Sequence, residues 1–396
     1  MELPASVQKI LIRLRAHGEE AFAVGGCVRD FLLGRTPADW DVTTSARPEA
    51  ILSIFADRRV LPTGIRHGTV TVWAEDDPIE VTTYRVDGDY SDHRHPDAVR
   101  FTHSLTDDLA RRDFTVNAMA CGLNGAIVDP FGGRADLAQR VIRCVGDPIR
   151  RFDEDALRIL RALRFASTLC FAIDAQTAAA IHHSAPLLHA IAAERIQTEL
   201  QKLICGAAAA CVLAEYGDVW AAAVPQLAPV AGNSAEWAAR SAQLAQSAPD
   251  FSGRMAILLR GQDAAAAMHA LRCDRKTIAQ TAALAALPPH LPPEPDDVWV
   301  RTQLAALGPK NWACALGMQP APVRAAWQAR TALILARGDC WRIDQLAVNA
   351  AQLMATGCPA GPAVGQTLRA LRDAVIRGTL PNEPGALLQA AAQHWE

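Results

Sequence analysis

The chain has 396 residues, 50% of them hydrophobic, which is enough for roughly two to four domains. Its net charge of −3 excludes a uniformly basic nucleic-acid-binding chain, so any RNA-binding surface must be a local patch. The ten cysteines form no CxxC pair and no zinc-binding pattern, which predicts reduced thiols. No signal peptide and no membrane span are evident, so we expect a cytoplasmic protein.

The first part of the chain alternates between helix and strand signals. In chain order, the patterns predict a helix over residues 1–21, a strand over 21–24, a helix over 28–33, a strand over 40–44, a helix over 48–55 and a hairpin over 68–84. The polar residues 86–99 predict a mobile loop. This mixture of elements indicates an α/β unit.

The strand signals fade after Gly146-Asp147-Pro148. Residues 150–205 predict a succession of helices. Residues 206–396 are rich in Ala and Leu and predict a helical body, with proline-rich breaks at 288–295 and 359–362.

Asp39 and Asp41 are the first candidates for chemistry. On one strand, residues two apart face the same side, so the two carboxylates would lie next to each other. Because two ionised carboxylates repel unless a cation lies between them, the pair suits Mg²⁺, which prefers oxygen ligands. Two such ions can activate an attacking hydroxyl and neutralise a leaving pyrophosphate. A solvated strand edge would give the same pattern.

Three neighbouring features fit the same site. Gly25-Gly26, between a strand and a helix, would let backbone N–H groups approach a triphosphate, and Arg29 on the first helical turn could reach the same anion. Glu80, on the predicted hairpin, could supply a third carboxylate. The alternatives are an ordinary strand-to-helix turn and an exposed strand glutamate.

The segment Arg111-Arg112-Asp113 offers another anion-binding group. The guanidinium of Arg112 could bind phosphate as a planar donor fork, with Asp113 holding that arginine in place. A surface ion pair at the boundary of an element is the alternative.

Asp155, Arg158, Arg161 and Arg164 recur at every third residue and would form one polar stripe on a helix. A solvated basic face is the alternative. Cytosine and adenine both present an amino donor beside a ring-nitrogen acceptor, which a carboxylate and a guanidinium complement. Uracil and guanine have the reverse polarity and would leave buried groups unpaired. The Asp155/Arg158 pair would therefore accept CTP and ATP, while Arg161 and Arg164 hold the triphosphate or the RNA end.

Together these residues resemble the class II tRNA nucleotidyltransferase and bacterial poly(A) polymerase family, and most of all its bacterial CCA-adding members. The motifs follow the family's order over roughly the first half of the chain, and their joint pattern is specific although each part is not. They are Gly25–Asp30 with Leu33-Gly34, Asp39–Thr44, Arg111–Thr115 with Asn117-Ala118, Glu154-Asp155 with Arg158, and Glu194–Ile196 with Glu199-Leu200.

The resemblance implies an α/β N-terminal nucleotidyltransferase palm followed by all-α neck, body and tail domains. The head would span residues 1–145, the neck with its base-reading helix 146–205, and the tRNA-binding body and tail 206–396. Asp39 and Asp41 would be catalytic metal ligands, with Glu80 as a further catalytic carboxylate. The family's nucleotide-binding positions fall on Gly26, Arg29, Arg112, Asp155, Arg158, Arg161 and Arg164. Mainly structural roles are expected for Asp30, Asp113, Asn117 and Glu194.

The expected function is template-independent addition of CCA to the 3′ acceptor end of tRNA from CTP and ATP. Residues Thr63–Val70 resemble the CCA-adding pattern, which disfavours a poly(A) polymerase, and the loop Asp87–Pro96 disfavours addition of CC alone. Enzymes that add only A share every motif quoted, so that alternative stays open. Intact aspartates disfavour a non-catalytic RNA-binding relative, and the long helical C-terminal half disfavours a nucleotide-binding regulator. No HD-type phosphohydrolase motif is present.

Overall fold

The computed structural model describes residues 3–75, 77–88, 99–292 and 294–393. The chain divides into two compact units, Met1–Trp237 and Ala238–Glu396. The first unit begins with an α/β sheet domain and continues as helices, and the second unit, where described, is helical. This architecture confirms the predicted fold class, whereas the three domain ranges drawn from the sequence stay predictions.

The strands are short and lie almost entirely in the first 130 residues. In chain order they are β1 (Ala21–Val24), β2 (Asp41–Thr44), β3 (Val60–Gly64), β4 (Thr69–Ala74), β5 (Asp77–Thr83), β6 (Arg85–Asp87), β7 (Val99–Phe101), β8 (Ala120–Cys121), β9 (Ile127–Val128), β10 (Val141–Ile142) and β11 (Ala172–Ile173).

Seven of these strands form one mixed sheet in the order β3-β4-β5-β2-β1-β8-β9. The hairpin β4–β5 confirms the predicted pairing, and its alternating apolar residues place Ile79 and Val81 in the core with Glu80 on the opposite side. Strand β2 lies in the middle, antiparallel to β1 and parallel to β5. Its first residue, Asp41, is therefore directly opposite Glu80.

The first helices of this unit pack against the sheet, and most of the later ones pack against one another. They are α1 (Ala5–Ala16), α2 (Gly26–Leu32), α3 (Pro48–Ile54), α4 (Leu105–Ala110), α5 (Gly133–Gln139), α6 (Pro148–Glu154), α7 (Leu157–Leu169), α8 (Ala175–Ser184), α9 (Ala193–Ile204), α10 (Ala209–Glu215), α11 (Gly217–Ala223) and α12 (Ala228–Ala231). Helix α7 packs against α9, and Leu160 and Leu163 are among its buried residues.

Helices make up the rest of the described chain. They are α13 (Ser234–Gln246), α14 (Phe251–Leu259), α15 (Ala264–Ala270), α16 (Arg275–Ala285), α17 (Asp297–Gly317), α18 (Ala321–Arg337), α19 (Ala350–Ala355), α20 (Pro362–Ile376) and α21 (Pro384–Ala392). The predicted proline-rich breaks fall between α16 and α17 and just before α20. Within the described ranges, none of these helices has the length and hydrophobicity needed to span a bilayer. All ten cysteines are free thiols, as predicted.

Several predicted boundaries are wrong, each for a local reason. Helix α1 ends at Ala16 instead of residue 21, because the chain turns at Gly18 with a φ of +85°. Asp39 lies in a bend before β2 and not on the strand. The predicted run of helices over 150–205 is interrupted by β11, which pairs with β10. Of the predicted loop 86–99, residues 89–98 lie outside the described part of the chain, and its ends pair as β6 and β7.

Candidate active site

A cleft of about 520 Å³ lies in the first unit, beside the glycine turn that follows β1. Nine of the ten predicted site residues line it, and Glu80 is the one outside. The lining residues are Gly25, Gly26, Arg29, Asp39, Asp41, Arg111, Arg112, Asp113, Asn117, Asp155, Leu157, Arg158, Arg161, Arg164, Phe165 and Arg195.

Asp39 and Asp41 give the cleft an acidic end. Burial, then repulsion from Glu80 and from Asp39, raises the pKa of Asp41 to about 6, with Arg112 opposing the rise. Repulsion of this kind is what a bound cation would relieve. Among the described residues, no three Asp, Glu, His or Cys side chains converge to hold a metal on their own. Two carboxylates still fit a magnesium ion, which usually takes its remaining ligands from phosphates and water.

We expect the affinity for a divalent cation to fall as the pH drops through about 6, because a protonated Asp41 no longer binds the ion. Well below that pH the affinity should decrease by about tenfold per pH unit, since one proton competes with the ion. Mn²⁺ titrations between pH 5 and 8 would measure this. Equal affinity at pH 5 and pH 7 would exclude Asp41 as a ligand.

The glycine turn also lines the cleft and lies close to one of its arginines. Gly25 has a φ of +85°, which disfavours every residue with a side chain, and Gly26 begins α2. A Cβ added at Gly25 would lie 3.0 Å from Nη1 of Arg112. The absence of a side chain at Gly25 therefore lets the Arg112 guanidinium lie against the turn.

Gly25→Ala should raise KM for nucleotides by about tenfold and destabilise the fold by about 1–2 kcal/mol, through a strained φ and a displaced Arg112. Steady-state kinetics and thermal unfolding would check both effects. Gly34→Ala is the matched control, because Gly34 also has a positive φ (+69°) but has open space around it and lies outside the cleft. Equal KM changes in both variants would contradict the interpretation that Gly25 acts by making room for Arg112.

Three other arginines of the cleft surround one aromatic ring. The guanidinium carbons of Arg29, Arg161 and Arg164 lie 4.9, 5.5 and 4.1 Å from the centre of Phe165. Phe165 is 5% exposed and packs edge-on against Phe114 at 5.8 Å. Cation–π attraction to a buried ring thus orients three positive charges.

The same three arginines also form ion pairs with carboxylates. Arg29 forms two 2.9 Å hydrogen bonds to Asp30 and one of 2.6 Å to Asn117.

Arg161 donates to Asp113 at 2.8 Å, and Arg164 Nε lies 2.6 Å from Glu199 Oε2. Burial works to raise the pKa of Asp113, but Arg161 and Asn117 outweigh it and lower that pKa to about 2. Asp113 is therefore a permanent anion that fixes Arg161.

The predicted partner of Arg112 is wrong. Asp113 points to Arg161 and Asn117, whereas Arg112 donates to Asp108 at 3.4 Å. The error arises because neighbouring residues at the end of a helix diverge, so adjacency in sequence does not imply contact.

The predicted polar stripe is also only partly right. Asp155 lies between α6 and α7 in an extended conformation, where its carboxylate accepts the backbone N–H of Leu157. Among the described residues, the carboxylate of Asp155 forms its ion pair with an arginine of α9 instead of with Arg158. Arg195, on α9, donates to its two oxygens at 3.3 and 2.9 Å, while Arg158 donates to Glu154 at 2.7 Å. Both members of the predicted base-reading pair line the cleft, each held by a separate ion pair.

Sequence reasoning missed several residues of this site. Arg195 lies inside a quoted motif but was given no role, and Asp108 is spaced three and four residues before Arg111 and Arg112, a helical ion-pair spacing that could have revealed it. Leu157 and Phe165 carry no such signal, because an apolar residue on an amphipathic helix looks like core.

Comparison with known proteins gives a consistent result. The model of the "Poly A polymerase head domain" family matches residues 21–143, and that of the "Probable RNA and SrmB- binding site of polymerase A" matches residues 170–216. The CCA-adding enzyme of Geobacillus thermodenitrificans (strain NG80-2) is 39% identical over 387 residues, which cover 94% of this chain and 93% of that protein. The CCA-adding enzyme of Limosilactobacillus fermentum is 37% identical, covering 99% and 98%.

Solved structures agree with these sequence matches. The Bacillus stearothermophilus CCA-adding enzyme in complex with CTP has a TM-score of 0.80 and 33% identity, covering 99% of this chain and 98% of that one. The Thermotoga maritima CCA-adding enzyme complexed with tRNA_CCA has a TM-score of 0.67 at 18% identity, covering 98% and 95%, and supports the fold alone.

The sheet domain, the neighbouring aspartates and the arginine-rich cleft define a nucleotidyltransferase. Enzymes of this family generally use divalent metal ions. With identities of 37–39% over nearly the whole length, the similarity extends well beyond the catalytic head. The chain belongs to the CCA-adding enzyme family of class II nucleotidyltransferases.

Proposed function

We propose that this chain adds C and A nucleotides to the 3′ end of tRNA to complete CCA, without a nucleic-acid template, taking them from CTP and ATP and releasing pyrophosphate. The observation that carries this proposal is the cleft, which joins two aspartates, a glycine turn and seven arginines next to a base-reading candidate. The full-length similarity to CCA-adding enzymes, one of them crystallised with CTP, supports the same substrates.

In this reaction the RNA 3′-hydroxyl attacks the α-phosphate of CTP or ATP, so the protein's task is positioning and charge stabilisation. The turn at Gly26 would offer backbone N–H groups to the triphosphate, and Arg29, Arg112, Arg161 and Arg164 would bind its oxygens. A divalent ion, which we propose is Mg²⁺, would bind to Asp39 and Asp41 and supply charge neutralisation and activation of the hydroxyl. Glu80, opposite Asp41 on β5, would add negative charge there.

Base selection would rest on Asp155 and Arg158. Asp155 would accept the amino group of cytosine or adenine, and Arg158 would donate to the adjacent ring nitrogen. Each carboxylate oxygen has two lone pairs, so a hydrogen bond from Arg195 leaves capacity for the base. UTP and GTP would turn a carbonyl oxygen toward the Asp155 carboxylate and a ring N–H toward the Arg158 guanidinium. These groups would stay unpaired, which would disfavour both nucleotides.

Residues 1–145 would serve as the catalytic head, 146–205 as the neck with the base reader, and 206–396 as the body and tail that hold the tRNA acceptor arm. A substrate of this kind also favours a cytoplasmic location.

The deciding experiment offers purified full-length protein, Mg²⁺ and labelled CTP and ATP to three tRNAs: one lacking CCA, one ending in C and one ending in CC. Extension of all three to CCA supports the proposal. One A added only to the CC-ended tRNA would make it an A-adding enzyme, and long A tails a poly(A) polymerase. No incorporation on any tRNA would indicate a non-catalytic RNA-binding relative.

A further inference from the structure

Asp108 on α4 is a fully buried carboxylate, 0% exposed, that no step above uses. Its two oxygens have different partners. Oδ1 accepts from Nε and Nη2 of Arg111 at 2.9 and 2.8 Å and from the backbone N–H of Arg85 at 3.3 Å. Oδ2 accepts from Thr43 Oγ1 at 3.0 Å and from Arg112 Nη2 at 3.4 Å. One side chain therefore joins four residues from three segments of the sheet domain.

These partners link β2 to the arginine that lies against the glycine turn. Thr43 lies on β2, two residues after Asp41, so Asp108 is fastened to the strand that carries the acidic pair. Arg112 lines the cleft against the turn at Gly25. Burial works to raise the pKa of Asp108, but Arg111 and Arg112 outweigh it and hold that pKa below its ordinary value, so the carboxylate is charged. A charged group at this place balances the arginines without entering the cleft.

The position of Arg112 depends on the negative charge of Asp108 more than the positions of the other cleft arginines do. Its hydrogen bond to Asp108 is long, and its buried Nε has no hydrogen-bond partner among the described residues. If Asp108 lost its charge, the guanidinium would be attracted to the nearby carboxylate of Asp41 instead of remaining beside the glycine turn. The charge of Asp108, outside the cleft, thus determines where the Arg112 guanidinium lies within it.

We infer that Asp108 is a positioning residue that holds Arg112 in the place where it meets the nucleotide triphosphate, an inference that rests on the proposed nucleotide contact of Arg112. Asp108 itself touches no substrate. Its influence should therefore appear in nucleotide affinity, and it should disappear when Arg112 is absent.

Asp108→Asn is the main variant. The amide has the same shape but turns an N–H donor toward one of the two groups of donors, either Arg111 and Arg85 or Arg112 and Thr43. We expect KM for both CTP and ATP to rise by about tenfold, which corresponds to the loss of one charge-assisted hydrogen bond. The value of kcat should change by less than about threefold. In an Arg112→Ala background the same substitution should leave KM nearly unchanged, because coupled residues are not additive.

Asp136→Asn is the matched control. Asp136 is a buried carboxylate of the same unit that accepts from Thr115 at 2.6 Å and from Arg143 at 3.2 Å, and it does not line the cleft. We expect this variant to lower Tm as Asp108→Asn does, with KM for both nucleotides unchanged. A merely structural role for Asp108 would make the two variants behave alike in KM.

An unchanged KM in Asp108→Asn, or an equal KM increase with and without Arg112, would overturn the inference while leaving the proposed function intact. An Arg112→Ala variant with normal KM would overturn both the inference and the nucleotide contact of Arg112, although CCA addition would still be seen on the three tRNAs. If Asp108→Asn does not fold, Thr43→Val removes one hydrogen bond from Oδ2. Its expected KM increase is about threefold, again absent in the Arg112→Ala background, and additivity there would count against the inference.

Discussion

Replacing Asp41 with alanine should lower nucleotide incorporation by at least about a thousandfold while tRNA affinity stays near its original value. The reason is that Asp41 and Asp39 form the acidic end of the cleft, and removing one carboxylate would take away a proposed ligand of a cation that would contribute several kcal/mol at the transition state. Single-turnover incorporation with a CC-ended tRNA and ATP, alongside a tRNA-binding titration, measures both quantities. Asp39→Ala should likewise lower incorporation and leave tRNA affinity near its original value.

The control for this prediction is Asp57→Ala, which removes an exposed aspartate of the same unit that pairs with Arg13 outside the cleft. This variant should keep normal incorporation. If Asp41→Ala retained near-normal activity, the assignment of Asp41 to the metal would be wrong. If it lost tRNA binding as strongly as incorporation, the substitution would have damaged the fold.

Asp155→Ala should relax base choice instead of simply stopping turnover. The kcat/KM ratio of ATP over UTP is expected to fall by about a hundredfold, because the carboxylate that we propose accepts the amino group of the correct base is gone. The substitution also leaves Arg195 without its bidentate partner, so some loss of overall rate accompanies the change. Competition assays with all four nucleotides on a CC-ended tRNA would measure the ratio.

Glu194→Ala is the matched control for base choice. Glu194 is an exposed acidic residue on α9, next to Arg195, and it does not line the cleft. Its removal should leave nucleotide preference unchanged. Unchanged preference in Asp155→Ala as well would remove the argument that protein side chains at this position read the base.

Features that depend on local spacing were predictable from the sequence. The alternation of apolar residues gave the hairpin β4–β5, and the two-residue spacing of Asp39 and Asp41 predicted that both would line one site, although Asp39 lies in a bend. Strand ends and helix ends were less accurate, because turns such as the one at Gly18 depend on single residues.

Long-range pairing was not predictable in the same way. Arg195 is 40 residues from Asp155, and Arg161 is 48 residues from Asp113, so no local pattern joins them. The prediction that Asp155 lies on the same helical stripe as Arg158 is wrong, because a helix ends at Glu154 and the chain is extended at Asp155. One sequence gives the residue types of such a site, but their partners follow from how distant segments pack, such as α9 and the segment after α4 against α7.

Asp155 and Arg158 are each held by a separate ion pair, with Arg195 and with Glu154, so contacts within the protein orient the proposed base reader. In a polymerase copying a strand, the instruction for the next base comes from outside the enzyme. Here it would be encoded in the gene of the enzyme itself, as the orientation of two side chains. A substitution at Arg195 or Glu154 would then act like a damaged template, producing misincorporation at every tRNA and not at one site in one RNA.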